Sequence, residues 1–148
     1  MGAGTKSDII IEEGAVPTNY AFINNRAKGR FAELHACGFL MRQGCSLIAR
    51  NYAYRGGELD IVAKSPEGRL LFVEVKSVWK RDKGAPESRV RAGKQYKVWR
   101  TACHFLHFHG GLDQKSRFDV IAVNVRDGKL DIRHFPGAFE AKHTIADC

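Results

Sequence analysis

Two apolar runs, Leu59-Asp60-Ile61-Val62-Ala63 and Leu71-Phe72-Val73-Glu74-Val75, flank the turn-forming stretch Lys64-Ser65-Pro66-Glu67-Gly68-Arg69. Both are rich in β-branched residues, and together they predict an antiparallel hairpin. Strand geometry puts Glu58, Asp60 and Val62 on one face with Phe72, Glu74 and Lys76, and turns Leu59, Ile61, Val73 and Val75 to the other. Symmetry about Glu67 sets Asp60 opposite Glu74 and Glu58 opposite Lys76. Upstream, Ala27, Phe31, Leu34, Gly38 and Met41 recur at helical spacing, with Asn24 or Asn25 as the cap and Gly44 as the stop. A first strand is expected from Cys45 to Tyr52, and Tyr54-Arg55-Gly56-Gly57 is the loop into the hairpin.

Downstream, a second helix is expected from about Arg91 to His109, ended by Gly110-Gly111. It places Gln95, Val98, Trp99, Ala102, Phe105 and Leu106 on one face, with Lys97, Arg100, His104 and His107 opposite as a solvent-facing basic stripe. Arg117 to Val125 predicts a central strand, and Asp127-Gly128 a turn into a last strand ending at Phe135. The order α-β-β-β-α-β-β, with a helical crossover making the strands at 71–76 and 117–125 parallel, predicts a three-layer α/β fold with a mixed sheet flanked by helices. One domain is expected over residues 23–135, with 1–22 a mobile arm and 136–148 a tail.

The charges on the hairpin carry the chemistry. Two carboxylates facing each other across neighbouring strands repel, and burying either one unpaired costs on the order of several kcal/mol. A divalent cation reverses that sign, and oxygen-only ligands suit Mg²⁺ or Mn²⁺, which keep several waters and share positions with substrate phosphates. A lysine two residues beyond such a glutamate can reach the attacking water or the phosphoryl oxygens, as in metal-assisted phosphodiester hydrolysis.

Asp60 followed by Glu74-Val75-Lys76 resembles the PD-(D/E)XK nuclease superfamily. Gly57-Glu58-Leu59-Asp60-Ile61-Val62, Phe72-Val73-Glu74-Val75-Lys76 and Arg117-Phe118-Asp119-Val120, in this order, are similar to the YraN family of small bacterial proteins over roughly residues 25–125. The resemblance implies a restriction-endonuclease-like fold related to Holliday-junction resolvases, which work as symmetric homodimers. It implies that Asp60, Glu74 and the Val75 carbonyl hold the metal, that Lys76 orients or activates water, and that Glu33 of the first helix assists. Residue by residue, Glu33 has a second reading as a surface partner of Arg30, worth about 0.2–0.5 kcal/mol. Where the family carries a second glycine just before this glutamate, the chain has Ala32.

Around this core lie candidate contacts. Arg55 beside two glycines either touches phosphate or belongs to a turn. Lys80 and Arg81, in a cationic loop with Trp79, suit steering and stacking of nucleic acid, and equally a solvated loop. Gln95 on an apolar face either orients substrate or sits at the core rim, and Lys94 beside it could touch phosphate. Asp119 serves the site or pairs with Arg117. Cys103, His104, His107 and His109 lack the second paired cluster of a zinc site.

Composition narrows the partners. With 24 Lys+Arg against 16 Asp+Glu the net charge is +8, which favours anions, nucleic acid first. No apolar run approaches about 18 residues and no hydrophobic leader opens the chain, so a cytoplasmic location without membrane partners is expected. Four cysteines without paired spacing suit reduced thiols. The leading expectation is a metal-dependent DNA endonuclease acting on branched or single-stranded DNA. The alternatives are a nuclease-fold module that binds nucleic acid without turnover, and an interaction protein whose charge pairs are structural.

Overall fold

The computed structural model describes residues 10–15, 24–78 and 88–140. Among these the elements are β1 (Ile10–Ala15), α1 (Asn25–Arg42), β2 (Ser46–Tyr54), β3 (Gly57–Lys64), β4 (Leu70–Val78), α2 (Ala92–His109), β5 (Ser116–Arg126) and β6 (Lys129–Phe139). The strands form one mixed sheet in the order β1-β6-β5-β4-β3-β2, and only β4 and β5 run parallel, joined through α2. The central strands are nearly continuous apolar runs because helices cover both faces of the sheet. Phe31, Ala32, Ala36, Phe39 and Leu40 of α1 pack on Ile61, Val73, Ile121 and Ile132. Val98, Ala102, Phe105 and Leu106 of α2 pack on Leu59, Val62, Phe72 and Phe118 on the other face. The result is a three-layer α/β arrangement compatible with a restriction-endonuclease-like core.

Local signals explain the element ends. Asn24 caps α1, its Oδ1 accepting from the Ala27 amide at 2.9 Å. The helix stops where Gly44 turns to φ 84° and the Cys45 amide returns to the Leu40 carbonyl. The β5–β6 hairpin turns on Asp127 and Gly128, both at positive φ, as a two-residue turn matched to strand twist requires. The β3–β4 ladder pairs Ile61 with Val73, Val62 with Phe72 and Ala63 with Leu71, the register centred on Glu67 that the sequence predicts.

Several elements differ from the sequence reading. The expected mobile arm contains β1, which pairs antiparallel with β6; the rest of residues 1–22 lies outside the described residues. The last strand does not end at Phe135: a register shift opposite Phe118 and a positive φ at Gly137 carry β6 past Pro136, so Phe139 stacks on Phe118 at 5.0 Å. The buried face of α1 is rotated from the expected stripe, leaving Leu34 and Met41 more than half exposed, because small Ala32 and Ala36 let the helix lie close to the sheet. Strict alternation fails in β3, where Leu59 packs under α2 while Ile61 packs under α1. Cys103 is disulfide-bonded, since sequence spacing does not say which thiols a fold brings together; Cys37 and Cys45 are free.

Beneath α1 lies a buried polar cluster. Asp119 accepts from Arg117 Nε and Nη2 at 2.7 and 2.9 Å, pairs with His134 Nε2 at 2.8 Å, and accepts from the Gly137 amide at 2.9 Å. Burial alone would raise its pKa, but the bonds from His134, Arg117 and Gly137 outweigh this and hold it below the usual carboxylate value. Asp119 is therefore a structural anchor for the β5–β6 bulge, and Arg117 is its partner.

Two stability outcomes follow. Because Asp119 is depressed in the fold, its contribution is full above its unfolded value near 3.8 and is lost as pH falls through the folded value. Urea denaturation should show Asp119→Asn losing about 3–5 kcal/mol at neutral pH, with the gap to wild type closing below about pH 4. At Gly57 an added Cβ would meet Thr101 Oγ1 at 2.3 Å and the Lys97 carbonyl at 2.6 Å, whereas at Gly93 it would meet nothing within 4 Å. Gly57→Ala should cost about 1–3 kcal/mol in the same assay, and Gly93→Ala nothing or a slight gain.

Candidate functional site

The site forms where the hairpin opens. The β3–β4 ladder reaches Ile61↔Val73 and goes no further, and the β2–β3 pairs run from Arg50↔Ile61 to Tyr52↔Leu59, passing over Asn51 and Asp60. Asn51 has φ 51°, a left-handed conformation that asparagine tolerates better than most residues. Released from both ladders, Asp60 turns its carboxylate to the Val75 amide, which donates to Oδ2 at 2.8 Å. That brings Asp60 within hydrogen-bonding reach of Glu74, a buried acid at 6% exposure.

Burial is the first cause that raises Asp60, and the Glu74 charge is the second; together they push its pKa up to about 8. Lys94, from the first turn of α2, places its ammonium on Glu74 Oε1. Burial alone would pull Lys94 down, but the bond to Glu74 and the charges of Asp60 and Glu58 outweigh it, so its pKa is raised.

Glu33 reaches the same region from α1. Burial raises its pKa. With its amide turned toward the acids, Asn51 donates to Glu58 Oε1 at 2.9 Å and to Glu33 Oε2 at 3.3 Å. Glu33 also lies 3.8 Å from Arg50 Nη2, so its ionic partner comes from β2 and not from Arg30. Glu58 binds Asn51 and does not face Lys76 across the hairpin, because the strands have parted before that point.

Lys76 lies beyond the acids on β4, its pKa lowered chiefly by burial against the pull of Glu74. With Arg89, Val90, Arg91 and Ala92 it lines a cavity of about 470 Å³. Ala92 opens α2, whose first turn has no side-chain cap, so free amides add to the positive potential there. Arg89 and Arg91 were not singled out in the sequence; the available signal was the basic cluster just before the helix. Asn51 was also missed, although an asparagine inside a strand pattern marks a break.

Other expected members stand elsewhere or in structural roles. Gln95 Nε2 donates to the Val90 carbonyl at 2.6 Å and braces the entry to α2. Arg55 occupies the β2–β3 turn at φ 43°, followed by Gly56 at φ 78°, and its carbonyl accepts from Arg100. Lys80 and Arg81 lie outside the described residues. For Val75 the group that meets Asp60 is the amide.

The donor set fits a divalent cation in part. Two neighbouring buried carboxylates offer hard oxygens, and the Lys94 ammonium already sits where positive charge is favoured. Among the described residues no three His, Cys, Asp or Glu side chains converge on one point, so an ion would rely on Asp60, Glu74 and water.

A family model described as "Uncharacterised protein family UPF0102" matches residues 32–123, a span that includes Glu33, Asp60, Glu74 and Lys76. The chain belongs to this family. It is the YraN family that the three motif blocks resemble. A UPF0102 protein of Pelobacter propionicus is 41% identical over 129 residues, covering 84% of this chain and 90% of the relative. Another, of Anaeromyxobacter dehalogenans, is 40% identical over 115 residues, covering 78% and 85%. A third, of Syntrophotalea carbinolica, is 43% identical over 113 residues. The solved structure of Pyrococcus furiosus SfsA in complex with Ca²⁺ overlaps 78% of this UPF0102 chain and 65% of its own length. At 14% identity and a TM-score of 0.37, that likeness is too loose to bear on function.

Because Asp60 is raised, its protonated form stabilises the fold, a contribution that is full below the unfolded value near 3.8 and is lost progressively as pH climbs from there to about 8. In metal-free buffer, Asp60→Asn should melt higher than wild type by about 3 °C or more at pH 8. Scanning fluorimetry below about pH 4 should find the gap closed.

Proposed function

We propose that the chain is a metal-dependent endonuclease acting on DNA. The observation that carries this reading is the meeting of Asp60 and Glu74 at the open end of the hairpin, beside a cavity walled by Lys76, Arg89 and Arg91. Two acids placed together at a cost in stability, next to a basic cavity, form a site whose opposite charges meet at the position a phosphodiester would take. Asp60 and Glu74 would hold Mg²⁺ or Mn²⁺, which supplies Lewis acidity toward a phosphoryl oxygen and a more acidic water.

The chain's own groups perform the remaining steps. Arg89, Arg91 and the open amides of α2 bind the phosphate and orient it. Lys76, with its pKa lowered by burial, exchanges a proton with the attacking water more readily than an exposed lysine. Asn51 restrains Glu33 and Glu58 at the rim, where their charge would favour a cation. Paired cuts in a symmetric substrate would take a homodimer.

One observation favours a second reading. The Lys94 ammonium neutralises Glu74, which is the charge a metal would otherwise use, so a module that binds nucleic acid without turnover is the alternative.

Purified protein incubated with single-stranded, duplex and four-way-junction DNA separates the two. On the first reading, cleavage requires Mg²⁺ or Mn²⁺, and Asp60→Asn, Glu74→Gln and Lys76→Ala each lower the rate about a hundredfold or more. Undiminished cleavage by Asp60→Asn would overturn it. On the second reading no substrate is cut, and binding weakens with a salt slope of about 0.9 per neutralised phosphate of duplex.

A further inference from the structure

The face of α2 carrying Lys97, Arg100 and His104 is not a simple solvated stripe. The Tyr54 ring stacks on the His104 imidazole with centroids 3.9 Å apart and planes at 19°. Phe108 also lies against His104, with centroids 4.7 Å apart and planes tilted by 39°. The Arg55 guanidinium sits 5.4 Å from the centre of the Tyr54 ring. The Tyr52 hydroxyl and His104 Nδ1 are 2.6 Å apart, which fixes the imidazole plane. The result is a ladder of guanidinium, phenol, imidazole and phenyl that ends on Phe108, whose ring is 71% exposed.

A lone exposed phenylalanine needs no explanation. This one terminates an ordered stack and is flanked by cations, with Lys97 exposed and Arg100 5.8 Å from the Tyr96 ring. The spacing of Lys94, Lys97, Thr101, His104 and Phe108 keeps them on one stripe of α2, which the β2–β3 turn crosses at the buried Thr101 beside Gly57. At 1.5 Å per residue that stripe runs roughly 21 Å, from the lysine on Glu74 to the free end of the ladder. A second copy of the chain is a poor occupant, because a two-fold contact would bring the same arginines and lysines face to face. A polyanion with flat unpaired rings gains on both counts.

We propose that the Tyr54-His104-Phe108 ladder is a stacking platform for single-stranded nucleic acid. A base extends the stack on Phe108, while Arg55, Lys97 and Arg100 hold the backbone phosphates. This deepens the nuclease reading by naming a single strand as the substrate, and it rests on that reading only for where the strand leads.

The test is anisotropy of a fluorescein-labelled oligothymidylate of about 15 nucleotides, bound by the full chain in EDTA so that no cleavage intrudes. Phe108→Ala and Tyr54→Leu should each weaken binding about tenfold, and Phe108→Trp should restore it. Arg100→Ala should reduce the salt slope by about 0.7. Because binding is read in EDTA, a failed nuclease assay leaves this result intact. Wild-type affinity in Phe108→Ala would overturn the proposal, because that exposed side chain can be removed without disturbing the core. It would equally fall if Phe108→Ala dispersed a dimer seen by sedimentation while oligonucleotide affinity stayed unchanged.

Discussion

Everything in the pocket depends on the strands of one hairpin separating at the right residue. Up to Ile61 and Val73 the pairing is regular and apolar. One residue further, continuing the ladder would press two carboxylates together on one face of the sheet. The chain instead frees Asp60 from both neighbours and gives it the Val75 amide. A backbone donor lowers the cost of the acid without offsetting its burial beside Glu74, so a field that favours a proton or a cation remains at the mouth. Lys94, Asn51 and Arg50 then gather around that field.

The two helices have different relations to this opening. α1 lies close to the sheet through Ala32 and Ala36 and sends one acid, Glu33, toward the pocket. Ala32 is fully buried there, so a methyl group before Glu33 is no obstacle to the approach. α2 is pinned near its middle, where Gly57 lies against the Lys97 carbonyl and Thr101. Its first turn serves the acids, and its far end carries the aromatic rungs. The glycine pair before Glu58 thus has two separate causes: a positive φ at Gly56, and close approach at Gly57.

Much of this was legible in the residues. The hairpin register followed from turn chemistry and branched residues around Glu67, and α2 from its apolar face. The caps at Asn24 and Gly44 and the turn at Asp127-Gly128 have strong local signatures. What could not be read depended on distant partners. β1 is held by its ladder with β6, and its own short sequence shows no sustained period. The face of α1 was misjudged because pattern reasoning weights large side chains, while contact with the sheet selects small ones. Leu59 and Ile61 part company only because Asn51 breaks the neighbouring ladder. The partners of Glu33, Glu58 and His104 all come from β2, across gaps in sequence that no local rule spans.

The kink at Asn51 has a second effect, on the outer border of the sheet. Among the described residues β2 is an edge strand, and a long flat edge invites foreign strands to add to it. Here the register slips between Leu47 and Ala49, and the backbone turns left-handed two residues later. No straight segment remains that is long enough to template another chain. The same distortion that frees an acid inward therefore guards the protein against aggregation outward.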